Sequence, residues 1–114
     1  MVNPGVYDLV CPQGATFQKT FTWSVDGAAV NLTGYSAALQ VRSAYDSDVA
    51  LVSLVSGSGI VLGGAAGTID VTISATVTSG LPVGSLTYDL ELTSGAVVTR
   101  LLQGAFNVSG GVTR

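Results

Sequence analysis

The chain has no histidine, one cysteine, one lysine and almost no charge. Without histidine, the side chain that most often serves as general base near neutral pH is missing. A serine or cysteine nucleophile would then need lysine or a carboxylate beside it. Lys19 is the only lysine, and it falls inside a strand pattern. Cys11 stands alone, so no intrachain disulfide is possible, as suits a reducing compartment. The four basic residues, Lys19, Arg42, Arg100 and Arg114, are scattered. Nucleic acid is therefore not an expected partner, because phosphate neutralisation needs a basic stripe. No segment reaches the roughly 18 apolar residues of a membrane-spanning helix, so a membrane is not an expected partner either. Met1-Val2-Asn3-Pro4-Gly5-Val6-Tyr7-Asp8 has no basic leader region, and synthesis in the cytoplasm is the expectation.

What the chain does have is alternation. Its 114 residues are 47% hydrophobic and only 10% charged, where typical chains carry about 25% charge. One domain, residues 1–114, of this length buries roughly 65% of its unfolded surface. With so few charges, the exterior must be largely Thr, Ser, Gly and Ala. Such a surface is weakly hydrated and suits broad contact with other subunits.

Apolar and polar residues alternate with period 2 in short runs split by turn residues, the pattern of half-buried strands. Strands are expected over Tyr7–Cys11, Thr16–Val25, Ser36–Arg42, Val49–Val55, Ile60–Leu62, Thr68–Ile73, Leu86–Leu92 and Val97–Val108. In the second run, Phe17, Phe21 and Trp23 share a face, which puts Trp23 in the core. Lys19 interrupts that face, which places it near a sheet end with its amine snorkelling to water. Asp26-Gly27 is a hairpin signal. Ser74 to Gly80 is the one helix candidate, a single turn capped by Ser74 and ended by a left-handed Gly80. Gly104 inside a strand marks a bulge or a close backbone approach. Tyr88 suits the role of a corner tyrosine. Seven or eight strands at this spacing describe an all-β, two-sheet antiparallel β-sandwich of immunoglobulin-like outline, with one short helical turn.

Chemistry-bearing constellations are sparse. Cys11 reads as a small apolar filler. Asp89 and Glu91 share one strand face about 7 Å apart, but Arg100 on the next strand offers a salt bridge. Asp46-Ser47-Asp48 lacks the glutamate and spacing of a calcium loop. Gly57, Gly59, Gly63, Gly64 and Gly67 precede strand residues, where a phosphate loop would precede a helix. No catalytic, cofactor-binding or metal-ligating residue is expected.

Several phrases occur together: Gln13-Gly14-Ala15-Thr16-Phe17, Val30-Asn31-Leu32-Thr33-Gly34-Tyr35 before Gln40-Val41-Arg42, and Leu62-Gly63-Gly64-Ala65-Ala66-Gly67-Thr68-Ile69. The closing run Tyr88-Asp89-Leu90-Glu91-Leu92, Val98-Thr99-Arg100-Leu101-Leu102-Gln103-Gly104, Val108-Ser109 and Val112-Thr113-Arg114 is the most specific. With these, nearly the whole chain resembles small virion-associated β-sandwich proteins from the structural gene cassettes of tailed bacteriophages and prophages. The Asn31–Tyr35 segment is also similar to the start of fibre-attachment domains in phage baseplate upper proteins. Met1 to Cys11 departs from the pattern.

The resemblance implies a non-enzymatic virion protein, present in several copies on the tail or baseplate and helping to anchor fibres. Its implied partners are tail, fibre or capsid subunits and further copies of itself, assembled in the host cytoplasm. A capsid decoration protein that cements the head is the alternative. A carbohydrate-binding module is a third reading, with Tyr35 and Tyr45 as its only candidate loop aromatics. Three regions are expected to carry assembly contacts. They are an N-terminal arm over residues 1–6 and the adjoining Tyr7 (Val2, Pro4, Val6 and Tyr7), the two-faced apolar strand (Val52 and Leu54), and a flexible tail over 110–114 ending in Arg114.

Overall fold

The computed structural model describes residues 5–44 and 46–110. Gly5–Val6 (β1) and Leu9–Pro12 (β2) open the chain, and Phe17–Thr22 (β3) follows a tight turn. Ser24–Val25 (β4) and Ala28–Ala29 (β5) form a small hairpin. Its turn residues Asp26 and Gly27 both take positive φ, as a two-residue type I′ connection requires. Ser36–Arg42 (β6) buries Ala37, Leu39 and Val41 and leaves Gln40 and Arg42 on the outer face. Val52–Ser56 (β7), Gly59–Leu62 (β8) and Thr68–Ile73 (β9) continue the all-β pattern. In β9 the alternation is strict, with Ile69, Val71 and Ile73 all buried. Ala75–Ser79 (α1) is the one α-helical turn among the described residues, beside a 3₁₀ turn at Gly64–Ala66, and Gly84–Ser94 (β10) and Val97–Ser109 (β11) make the long closing hairpin.

Nine of these strands form one continuous curled sheet in the order β1-β11-β10-β6-β7-β8-β9-β3, with β2 also on β11. The path folds back on itself at β7–β8, where Ser58 N–H donates to the Val55 carbonyl and Gly57 N–H to that of Ile60. Its two ends therefore face one another. Phe17 of β3 meets Phe106 of β11 with ring centroids 5.5 Å apart. The runs β11-β10-β6-β7 and β8-β9-β3 hold the places of G-F-C-C′ and D-E-B in a variable-type immunoglobulin sandwich. The fold is all-β and immunoglobulin-like.

It departs from the sequence expectation in three ways. Strands number eleven among the described residues, because β1 forms ahead of the first expected strand, the expected Thr16–Val25 strand breaks at Trp23 into β3 and β4, and β5 closes the Asp26-Gly27 hairpin. The sheet is mixed, not purely antiparallel: β1 and β2 run parallel to β11, and β7 meets β8 in parallel at the corner. Gly80 ends α1 in the right-handed region, at φ −88°, because Leu81 N–H still reaches back to the Thr78 carbonyl.

Helix α1 is a lock. Ser74 Oγ accepts from Val77 N–H at 3.3 Å, the expected cap. Thr78 is fully buried; its hydroxyl donates to the Ala15 carbonyl at 2.8 Å and accepts from Gly14 N–H at 3.1 Å. Gln13 Nε2 donates to the Leu81 carbonyl at 2.8 Å. These bonds tie the β2–β3 turn to the β9–β10 connection, so a buried polar group is fully satisfied.

Candidate functional site

The sandwich is closed on one side, by the β7–β8 corner, and open on the other. On the open side, β1 and β2 border one layer and β3 borders the other, with no strand of the described residues pairing the outer edge of β3. Trp23 N–H donates to the Gly67 carbonyl, one step beyond the Thr22–Thr68 pair. In an antiparallel ladder, bonding alternates. Phe17, Lys19 and Phe21 therefore aim their backbone groups at β9, and Gln18, Thr20 and Thr22 aim theirs at the unpaired edge.

Between β3 and β11 lies an open groove of about 370 Å³, bordered chiefly by Tyr7, Lys19, Phe21, Trp23, Leu101 and Leu102. A bulge builds its floor. The β10–β11 register slips between Leu90 and Glu91, so that Leu90 pairs Leu102 while Glu91 pairs Arg100. Leu101 is the extra residue. Both leucines pack against the core while remaining partly exposed. Bulges re-aim side chains in this way. An apolar pair at 101–102 looks like an ordinary hydrophobic run in sequence, so alternation did not reveal the bulge.

Tyr7 joins the two layers at this groove. Its N–H donates to the Gln103 carbonyl at 3.0 Å, and its carbonyl accepts from the Tyr88 hydroxyl at 2.5 Å. Its ring meets that of Phe21 edge-on at 5.9 Å, and the Lys19 amine sits 5.1 Å above its centroid. Close approach of the Tyr7 backbone explains Gly104: a Cβ there would lie 2.5 Å from the Tyr7 carbonyl oxygen. Burial and the nearby Asp8 carboxylate push the Tyr88 phenol up to about 12. Tyr88 is thus not a corner tyrosine, which bonds a few residues upstream; it clamps the first strand instead.

Lys19 lies midway along β3, the strand at one end of the sheet, as expected. Trp23 is displaced from its expected place. It is only partly buried and stands edge-on to Tyr35 at 6.1 Å, while Leu32 takes the core position nearby at 2% exposure. Tyr35 is held in that pair and is not a free loop aromatic.

The other expected contacts divide. Val6 is exposed, and Tyr7 half-exposed at the groove. Val52 is a correction: it faces inward at 3% exposure because β7 alternates, and Leu54 packs against the same core. The apolar side chains of that region open to a partner are Val49, Leu51 and Val55. Val2, Pro4, Tyr45 and Arg114 lie outside the described residues, as do all of the tail but Gly110 and all of the arm but Gly5 and Val6.

Elsewhere, Arg100 Nε reaches Asp89 Oδ2 at 3.5 Å on a solvated face, past Glu91, its partner in the register. Among the described residues, no three His, Cys, Asp or Glu side chains cluster as metal ligands would. Cys11 is buried, and burial pushes its thiol up, away from a reactive thiolate. No helix among the described residues is long and apolar enough to cross a membrane.

No known protein family matches the chain, and no curated protein matches it. Among solved structures it is similar to a chain from a photo-crosslinking study of multimeric cell-adhesive interactions of VGSC beta subunits. The two are 11% identical, 97% of each is covered, and the TM-score is 0.48.

Proposed function

We propose that this chain is a non-enzymatic structural subunit of a tailed-phage virion. It attaches in several copies to the tail or baseplate region and helps to anchor fibres. The single observation that supports assembly is the open side of the sandwich, where an edge unpaired among the described residues borders an apolar groove. An exposed edge strand is a template for pairing with another chain, and proteins ordinarily blunt or cover it. Here the edge is left beside aromatic and leucine side chains, which suits contact with a neighbouring subunit. The low charge and the Thr- and Ser-rich outer faces favour the same use. Location on the tail rests on the sequence resemblance described above.

Copy number in purified particles tests this reading, measured by quantitative mass spectrometry against the major capsid protein. The expected result is about six to twelve copies per particle, the symmetry-repeated stoichiometry of a tail structure. A ratio near one per capsid subunit would make it a decoration protein. Absence from particles would overturn the virion assignment.

A further inference from the structure

We propose that the open edge of β3 receives an extended segment of a partner protein as an added strand, and that Lys19 selects a segment carrying a carboxylate. This deepens the assembly reading by naming how the partner binds and what chemistry it must bring.

Three features converge. Gln18, Thr20 and Thr22 present backbone donors and acceptors that no strand of the described residues pairs, the requirement for β-strand addition. The groove beside that edge has apolar walls, from Leu101 and Leu102 on one side and Phe21 and Trp23 on the other. Alternate side chains of an added strand would enter it. Lys19 stands between Phe21 and Phe17 on the same inward face of β3. Its amine lies over the Tyr7 ring, and it forms no ion pair among the described residues.

An inward-pointing lysine on an edge strand works against indiscriminate pairing. A wholly apolar strand would bury the amine without a counter-charge, which is costly. A second copy pairing through its own β3 would bring a second Lys19 into the same groove, and like charges repel there. A segment with a carboxylate facing Lys19 and apolar residues two places to either side meets all three demands. Selection then comes from excluding the wrong partners as much as from attracting the right one.

Trp23 is the only tryptophan and borders the groove, so its fluorescence reports occupancy directly. The probes are the capped peptides Thr-Val-Thr-Asp-Thr-Val-Thr and Thr-Val-Thr-Lys-Thr-Val-Thr, titrated into the full chain. The Asp peptide is expected to shift Trp23 emission saturably and to bind at least about fivefold more tightly than the Lys peptide. In Lys19→Glu, the preference should reverse. In Lys19→Ala, it should vanish while circular dichroism stays unchanged. No saturable shift with either peptide, or a preference that survives in Lys19→Glu, would overturn the proposal. Concentration-dependent self-association of the chain without peptide, disrupted by substitution at Thr20, would show a second copy as the occupant and would also overturn it. Because the isolated chain is used, this result is independent of the copy number in particles, and either reading can fail alone.

Discussion

The two sides of this sandwich solve the same problem differently. At the closed side, the sheet turns a corner between Val55 and Ile60, and backbone hydrogen bonds continue through the turn. Ile60 is completely buried just past it. At the open side, Phe21 and Tyr7 touch across the gap, but the backbone edge of β3 stops without a partner among the described residues. Both places bury apolar side chains. What differs is hydrogen bonding, and that difference separates the part of the molecule that holds the fold from the part available to a partner.

The sharpest way to expose the contrast is a matched pair of truncations. Ile60→Ala removes a fully buried side chain and is expected to cost about 2–5 kcal/mol in urea unfolding. Leu101→Ala, at the half-exposed groove wall, is expected to cost about 1 kcal/mol, since only part of its surface is shielded. Equal losses would mean that the open side is as structural as the closed one.

An effect between those two is expected where the chain just after β1 is clamped. Gly104→Ala drives a methyl into the Tyr7 carbonyl, and should cost about 1–3 kcal/mol. It should also alter Trp23 fluorescence, because Tyr7 borders the same groove. Unchanged emission would separate the clamp from the groove.

An effect as small as that of Leu101→Ala is expected for Tyr88→Phe, which removes the hydroxyl bond to Tyr7 at about 1 kcal/mol near neutral pH. Its pH dependence has a definite sign. The phenol is pushed up to about 12 in the folded chain, above the ordinary value near 10. Its stabilising contribution is therefore complete below about pH 10 and is lost as pH rises towards about 12. The stability gap between wild type and Tyr88→Phe should narrow over that window in unfolding titrations.

Much of the fold was legible in the sequence. Ser36–Arg42 and Thr68–Ile73 have the expected limits, because each is a clean alternation bounded by turn residues. Ser74 caps its helical turn for the same local reason. The open side was not legible, because it depends on which strands meet. Trp23 shares the periodicity of Phe17 and Phe21, yet it sits where β3 gives way to the β4–β5 hairpin and packs only at the margin of the core. Val52 and Leu54 look two-faced beside Val55, but strand alternation turns the first two inward. The clue that sequence did hold was Lys19. A lysine on an otherwise apolar strand face is a mark of a sheet edge, and here it stands at the groove.

The most direct test is amide hydrogen exchange at Gln18, Thr20 and Thr22, in the free chain and in purified particles of the proposed virion. The account predicts fast exchange at these three amides in the free chain and slow exchange at Lys19 and Phe21, whose N–H groups face β9. On assembly, the three edge amides should become protected. Protection that is already high in the free chain, or that stays unchanged on assembly, would contradict the claim that this edge is where a partner binds.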